Sequence, residues 1–179
     1  KNNSEQMKNK SENSNVIKIN CPLGTNLTGE IAPDNSETTE VSVLRFPILV
    51  PKPVDAKPFS GKVVLNNYLT STGSRFYKPN FIKINSEVTI HIENGRIADI
   101  QGISDDISNI QNHYAYVSQK FDIDMHAVHS WHPGIHPGAE DNKFYENDPD
   151  KWSNTVFVHA KYLHLHTCGI YAPGELCTH

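Results

Sequence analysis

A chain of 179 residues holds one domain of ordinary size, and sixteen Lys and Arg against twenty Asp and Glu leave a net charge of −4, without the basic excess of a general nucleic-acid binder. No apolar run reaches the ~18–20 residues that cross a bilayer, and the first residues lack the apolar centre of a signal peptide. With 37% hydrophobic residues the chain can build a core, while its polar tilt predicts long loops or a disordered end.

In chain order, residues 1 to 15 are nearly all Lys, Asn, Ser, Glu and Gln and predict a disordered lead or linker, with a single β-rich domain over 16 to 179. Val16-Ile17-Lys18-Ile19 reads as a strand stopped by Pro22-Leu23-Gly24. Val41 to Phe46 alternates apolar and polar and runs past Pro47 into Ile48-Leu49-Val50, which predicts an edge strand or a bulge. Lys62 to Leu65 and Phe81 to Ile84 are short β-branched runs. Val88 to Ile92 alternates, turns at Asn94-Gly95, where both residues tolerate positive φ, and returns as Arg96 to Ile100. Residues 16 to 103 thus predict a β-rich meander.

Ile107, Ile110, Tyr114 and Val117 recur at spacings of three and four, which predicts one helix from Asp105 to about Phe121, capped by Asp105 or Asp106. Beyond it come loops marked by Pro133, Pro137, Pro149 and Pro173 and two strands, Thr155 to Val158 and Tyr162 to His166. The expected fold class is α+β, a mostly antiparallel sheet with one helix and a histidine-rich C-terminal loop and strand region.

Eight of the ten histidines fall between His126 and His179. His126, His129, His132 and His136 are spaced by three, three and four, but Pro133, Gly134, Pro137 and Gly138 break any helix there, so a gathered loop is expected. His164 and His166 lie two apart in a predicted strand and therefore project from one face, as when a strand offers two ligands to one metal. Imidazole suits zinc, iron, copper and nickel, and a carboxylate from Asp122, Asp124, Glu140 or Glu175 would complete two histidines and one acid. His129, His132, His136, His164, His166 and Asp124 are the metal-ligand candidates; some of the histidines are expected to play structural or outer-sphere parts.

Cys21, Cys168 and Cys177 cannot all pair within one chain, and none forms a Cys-x-x-Cys pair, so a disulfide framework and a zinc finger are disfavoured and a reducing, cytoplasmic compartment is expected. Cys168 could face a histidine base as a nucleophile, although a small buried cysteine is the commoner reading. Tyr171 and Glu175, in the same loop, are the candidate acid, base or oxyanion donor.

Three segments together resemble the aminopeptidase T family of metallopeptidases and the iron-dependent 2,5-dihydroxypyridine dioxygenases that share its fold. They are Gly24-Thr25-Asn26-Leu27 with Gly29 to Pro33, the hairpin Ile92 to Ile97, and the block Leu163 to Tyr171. The first carries Asn26 where the family more often has Asp. The resemblance implies His164 or His166 as ligand, Tyr171 as the following tyrosine, and Asp122 or Asp124 as the acid. It also implies a His-x-Asp pair downstream and an N-terminal α/β domain. The expectation is then either a C-terminal metal domain trimmed at both ends or a ligand set rebuilt from local histidines.

The combined reading is a metal-dependent enzyme domain, part of a longer chain or a homo-oligomer, acting on a small molecule or a short peptide. With zinc, a metal-activated water would hydrolyse an amide as an aminopeptidase does. With iron(II), two histidines and a carboxylate would leave positions for an aromatic diol and oxygen, as in a ring-cleaving dioxygenase. A non-catalytic histidine-rich metal-binding module is the third reading.

Overall fold

The computed structural model describes residues 15–31, 53–71, 77–139, 147–168 and 176–178. The elements run β1 (Val16–Asn20), β2 (Asn26–Glu30), β3 (Val54–Asp55), β4 (Phe59–Leu65), β5 (Tyr68–Ser71), β6 (Phe81–Lys83), β7 (Val88–Glu93), β8 (Arg96–Gln101), α1 (Ser104–Phe121), β9 (Val128–Pro133), α2 (Pro149–Val156), β10 (Leu163–Thr167) and β11 (Leu176–Thr178). Alternation sets the inner face of the first sheet: Leu27 on β2, Val63 and Leu65 on β4, and Val88, Ile90 and Ile92 on β7 are buried while their neighbours are exposed or half-buried. The class is the expected one, α+β and mostly antiparallel β.

The strands form two sheets, one ordered β1-β2-β4-β7-β8 and one ordered β3-β9-β10-β11-β5-β6, and every pairing between named strands is antiparallel. The expected continuous meander is therefore divided, because β3, β5 and β6 leave the first sheet for the second. The shared core joins the inner faces of both sheets to one side of α1, with Ile110, Tyr114 and Val117 in one cluster with Phe59, Trp131 and Leu165. Phe59 and Trp131 meet edge to face at 5.4 Å, a geometry that aligns the positive ring edge with a negative face.

The β7–β8 hairpin turns where expected, at Asn94 (φ 49°) and Gly95 (φ 68°). A Cβ on Gly95 would also come within 2.7 Å of the Lys57 Cα, so glycine is required twice over. The helix is as predicted, but neither Asp105 nor Asp106 caps it: the N-cap is Ile103, without a side-chain bond. Asp106 instead accepts hydrogen bonds from the backbone N–H groups of Asn85 and Ser86, the Asn85 side-chain amide and the Ser86 hydroxyl, tying the β6–β7 turn to the helix.

Two other expectations are corrected. Thr155 to Val158 is not a strand: residues through Val156 belong to α2. Asp148 accepts from the Lys151 N–H and Pro149 opens the first turn, and this start signal outweighs the β propensity of the Thr155-Val156 pair. The histidine-rich stretch is not a gathered loop either, since Val128–Pro133 is strand β9; its prolines and glycines act only after it. The strand predicted over residues 41 to 50 lies outside the described residues, as does residues 1 to 14 of the expected lead, while Asn15 accepts a hydrogen bond from the Ile31 N–H.

Candidate metal centre

Strands β9 and β10 run side by side with Leu163 opposite Pro133, His164 opposite His132, Leu165 opposite Trp131 and His166 opposite Ser130. Alternation then sorts the side chains: Trp131 and Leu165 enter the core, and His132, His164 and His166 share the other face. Between His166 and Thr167 the register slips, leaving His129 as an extra residue on β9. Helix α2 packs against the same sheet face, through a hydrogen bond of 3.0 Å between the Ser153 and Thr70 hydroxyls and the packing of Trp152 on Tyr68. The three imidazoles are consequently buried, with exposures of 5% for His132, 2% for His164 and 8% for His166.

Within the cluster the Nε2 atoms of His132 and His166 are 3.0 Å apart and hydrogen-bonded, the tautomers deciding which ring donates. The ring of His132 lies 5.1 Å from each of the other two rings, tilted by 35° to His164 and 34° to His166. Phe157, just after α2, stands 5.7 Å from the His164 ring. Nitrogens bound at ~2.1 Å in adjacent positions of an octahedral ion are separated by ~3.0 Å, so the two Nε2 atoms have the spacing of paired ligands. Burial, and then the neighbouring His166, push the His132 pKa down to about 4. At neutral pH His132 is therefore uncharged with a lone pair available, which is the ligating form of the side chain. Its Nδ1 is buried without a hydrogen-bond partner among the described residues.

The other candidates are placed elsewhere. Asp124 is bound by Arg96 at 2.6 Å in a surface ion pair, and the Arg96 hydrogen bond, joined by the His126 N–H and the guanidinium charge, outweighs burial and holds its carboxyl below the usual range. No hydrogen bond joins it to the three imidazoles. The His129 Nδ1 is 3.0 Å from the Ser130 hydroxyl. His136 accepts from the Gly138 N–H through Nδ1 and bridges to His159, where Gly134 lets the chains close; a Cβ there would come within 2.0 Å of the His159 carbonyl oxygen. His159 is itself engaged, with its Nε2 at 3.1 Å from the Pro137 carbonyl and its Nδ1 accepting from Lys161 N–H. Asp122 is the left-handed C-cap of α1 and is exposed. Tyr171, Glu175 and Glu140 lie outside the described residues.

Cys168 is fully buried, its thiol directed at the Tyr114 carbonyl oxygen at 3.7 Å, and burial followed by the Asp124 charge raises its pKa to about 12. A thiol held protonated in that way is not a nucleophile, which corrects the cysteine-hydrolase reading. An open depression of about 400 Å³ lined by Lys62, His91 and Glu93 lies on the first sheet, with none of the β9–β10 histidines in its lining. It is shallow and carries no gathered donor set, so chemistry favours the β9–β10 cluster over shape.

Sequence spacing had identified His164 and His166 as a same-face pair but did not assign His132 above its neighbours. The signal was present: Trp131 lies between Ser130 and His132, so strand alternation separates His132 from the core tryptophan. Phe157 carries no such signal, because the Thr155 to Val158 run reads as a strand. Among the described residues no group of three or more His, Cys, Asp or Glu already surrounds a single point as a metal site does. Two imidazoles have ligand spacing, with a third beside them. An iron(II) site of two histidines fits these residues to that extent, and a carboxylate partner is not found among them.

No protein-family model matches the chain, and no curated protein matches it in sequence. Among solved structures it is similar to 2,5-dihydroxypyridine dioxygenase from Pseudomonas putida KT2440, with a TM-score of 0.66 and 13% identity, over 98% of this chain and 52% of that one. The chain thus spans about half the length of that dioxygenase. At this identity the likeness is one of fold: the architecture is dioxygenase-like, and the aminopeptidase T half of the resemblance gains no support.

Proposed function

We propose that this chain is the metal-binding part of an iron(II)-dependent oxygenase that opens dihydroxylated aromatic or heteroaromatic rings. The observation that carries the reading is the His132–His166 pair, with Nε2 atoms 3.0 Å apart on neighbouring strands of a fold similar to that of a dioxygenase. The aminopeptidase-like alternative uses the same histidines with zinc, but the structural likeness is to an oxygenase and favours ring opening over amide hydrolysis.

Iron(II) bound to such imidazoles supplies open positions for an oxygen-donor substrate and for dioxygen. The protein's own part is to keep His132 neutral at Nε2 by burial, to aim the His132 and His166 rings from two hydrogen-bonded strands, and to cover that face with α2. Rigid strands hold donor positions better than loops do, and the cover lowers water access.

The test is oxygen consumption by iron(II)-loaded protein given 2,5-dihydroxypyridine, catechol or gentisate, beside the zinc-loaded protein given amino-acid amides. Oxygen uptake that is lost in His132→Ala and His166→Ala is the expected result. Amide hydrolysis with zinc and no oxygen uptake with iron would replace this reading by the hydrolase one.

A further inference from the structure

We propose that the open depression on the outer face of the first sheet binds a small organic zwitterion, a molecule that carries an ammonium and a carboxylate on one short chain. The inference is independent of the metal reading and uses none of its residues. Strands β4 and β7 set Lys62 directly opposite His91, and Glu93, two residues beyond His91, projects from the same face. Asn26 on β2 pairs with Lys62 from the other side. All four line one hollow of about 400 Å³, a volume within the range of small-molecule sites, with Asn26, Lys62 and Glu93 exposed and His91 half-buried.

Two departures from regular sheet geometry shape the hollow. Gly61 takes a φ of 139°, and a Cβ there would come within 2.2 Å of the Asn26 carbonyl oxygen, so no side chain stands between Ser60 and Lys62. The β7–β8 register slips between His91 and Ile92, leaving Ala98 as an extra residue, and a bulge of this kind re-aims the side chains beside it. The charged groups of the hollow are unengaged. Diagonal neighbours on paired strands lie ~7–8 Å apart, within reach of a long cation and an acid, yet neither Lys62 nor Glu93 has an ion pair or a side-chain hydrogen bond among the described residues. The Nε2 of His91 is buried without a hydrogen-bond partner among the described residues. One imidazole and one carboxylate are too few for a metal ion, but a zwitterion finds a group for each end: its carboxylate meets Lys62, its ammonium meets Glu93, and His91 supplies a hydrogen bond.

The experiment titrates the whole chain, labelled for amide NMR, with glycine, β-alanine, γ-aminobutyrate and ε-aminocaproate, which separate the two charges by increasing lengths. Butyrate and butylamine, each with one charge, are the controls. We expect shifts centred on Gly61, Lys62, His91 and Glu93, saturating in the millimolar range for one member of the series, and affinity at least about threefold lower for either control, since exposed ion pairs contribute up to about fivefold each. Lys62→Ala and Glu93→Ala should each lower the affinity at least about threefold, and the exchanged variant Lys62→Glu with Glu93→Lys should recover most of the loss, because the bound molecule can turn end for end. Both positions are exposed, so these variants are expected to fold. No saturating shift with any member at tens of millimolar overturns the site. Equal affinity for butyrate or butylamine overturns the zwitterion, and an exchanged variant as weak as the single ones overturns the two-ended pairing.

Discussion

His132 and Asp106 show two ways in which a buried polar side chain is made tolerable. Burial keeps His132 neutral, with its pKa pushed down to about 4, and a neutral imidazole costs far less to bury than a charged one. Asp106 is fully buried yet ionised: burial works to raise its pKa, but the N–H and O–H donors of Asn85 and Ser86 outweigh it and hold the carboxyl below its ordinary range. Asp106→Ala should therefore lower stability in urea by about 2–4 kcal/mol, since it removes several charge-assisted bonds and strands their donors; a loss below half a kcal/mol would contradict the anchoring role. His113 is buried against Tyr77, and burial lowers its pKa below the ~6.5 of an unfolded histidine. The unfolded chain thus takes up the proton first as pH falls, so this contribution is complete above about pH 6.5 and is lost below it. Urea midpoints at pH 7.5 and 5.5 should differ less in His113→Phe than in the wild type, and a larger difference in the variant would reverse the sign. His132 leaves a residual slope of the same direction.

At the scale of elements, what could be read from sequence was what local pattern decides. The Asn94-Gly95 hairpin and the spacing of Ile110, Tyr114 and Val117 specify β7–β8 and α1 without outside help. The cap of α1 could not be read, because Asp106 answers to a turn twenty residues away. Strand β9 was hidden by its prolines and glycines, which mark its end and not its whole length; His129 is accommodated there as a bulge that only the pairing with β10 reveals. Helix α2 was hidden because Thr155 and Val156 favour strands in isolation, while the Asp148-Pro149 start decides the matter. Likewise His164 and His166 were legible as a pair, whereas their partner depended on which strand lies alongside. The close approach after β9 gives a further expectation: Gly134→Ala, with its Cβ 2.0 Å from the His159 carbonyl oxygen, should cost about 1–3 kcal/mol in thermal or urea unfolding. An unchanged stability would mean that this loop yields freely.

For the whole molecule, the two sheets and α1 form a frame whose core lies on one side of β9 and β10 and whose histidine cluster lies on the other. Tyr114 joins helix to strand through a hydrogen bond of 2.8 Å to the Thr167 hydroxyl, next to His166. Phe59, fully buried between the sheets, is central to the frame, and Phe59→Ala should destabilise by about 3–5 kcal/mol while leaving the β9–β10 register in place. Unfolding at matched conditions checks this, and a cost under 1 kcal/mol would move the core elsewhere. The proposed function rests on a narrower feature, the facing imidazoles of two strands. Its most direct test is elemental analysis of the protein purified without added metal, beside His132→Ala, His166→Ala and His91→Ala as a control on the other sheet. The account predicts about one iron per chain in the wild type and the His91 variant, and little in the two cluster variants. Equal metal in all four proteins, or none in any after anaerobic loading with iron(II), would contradict it.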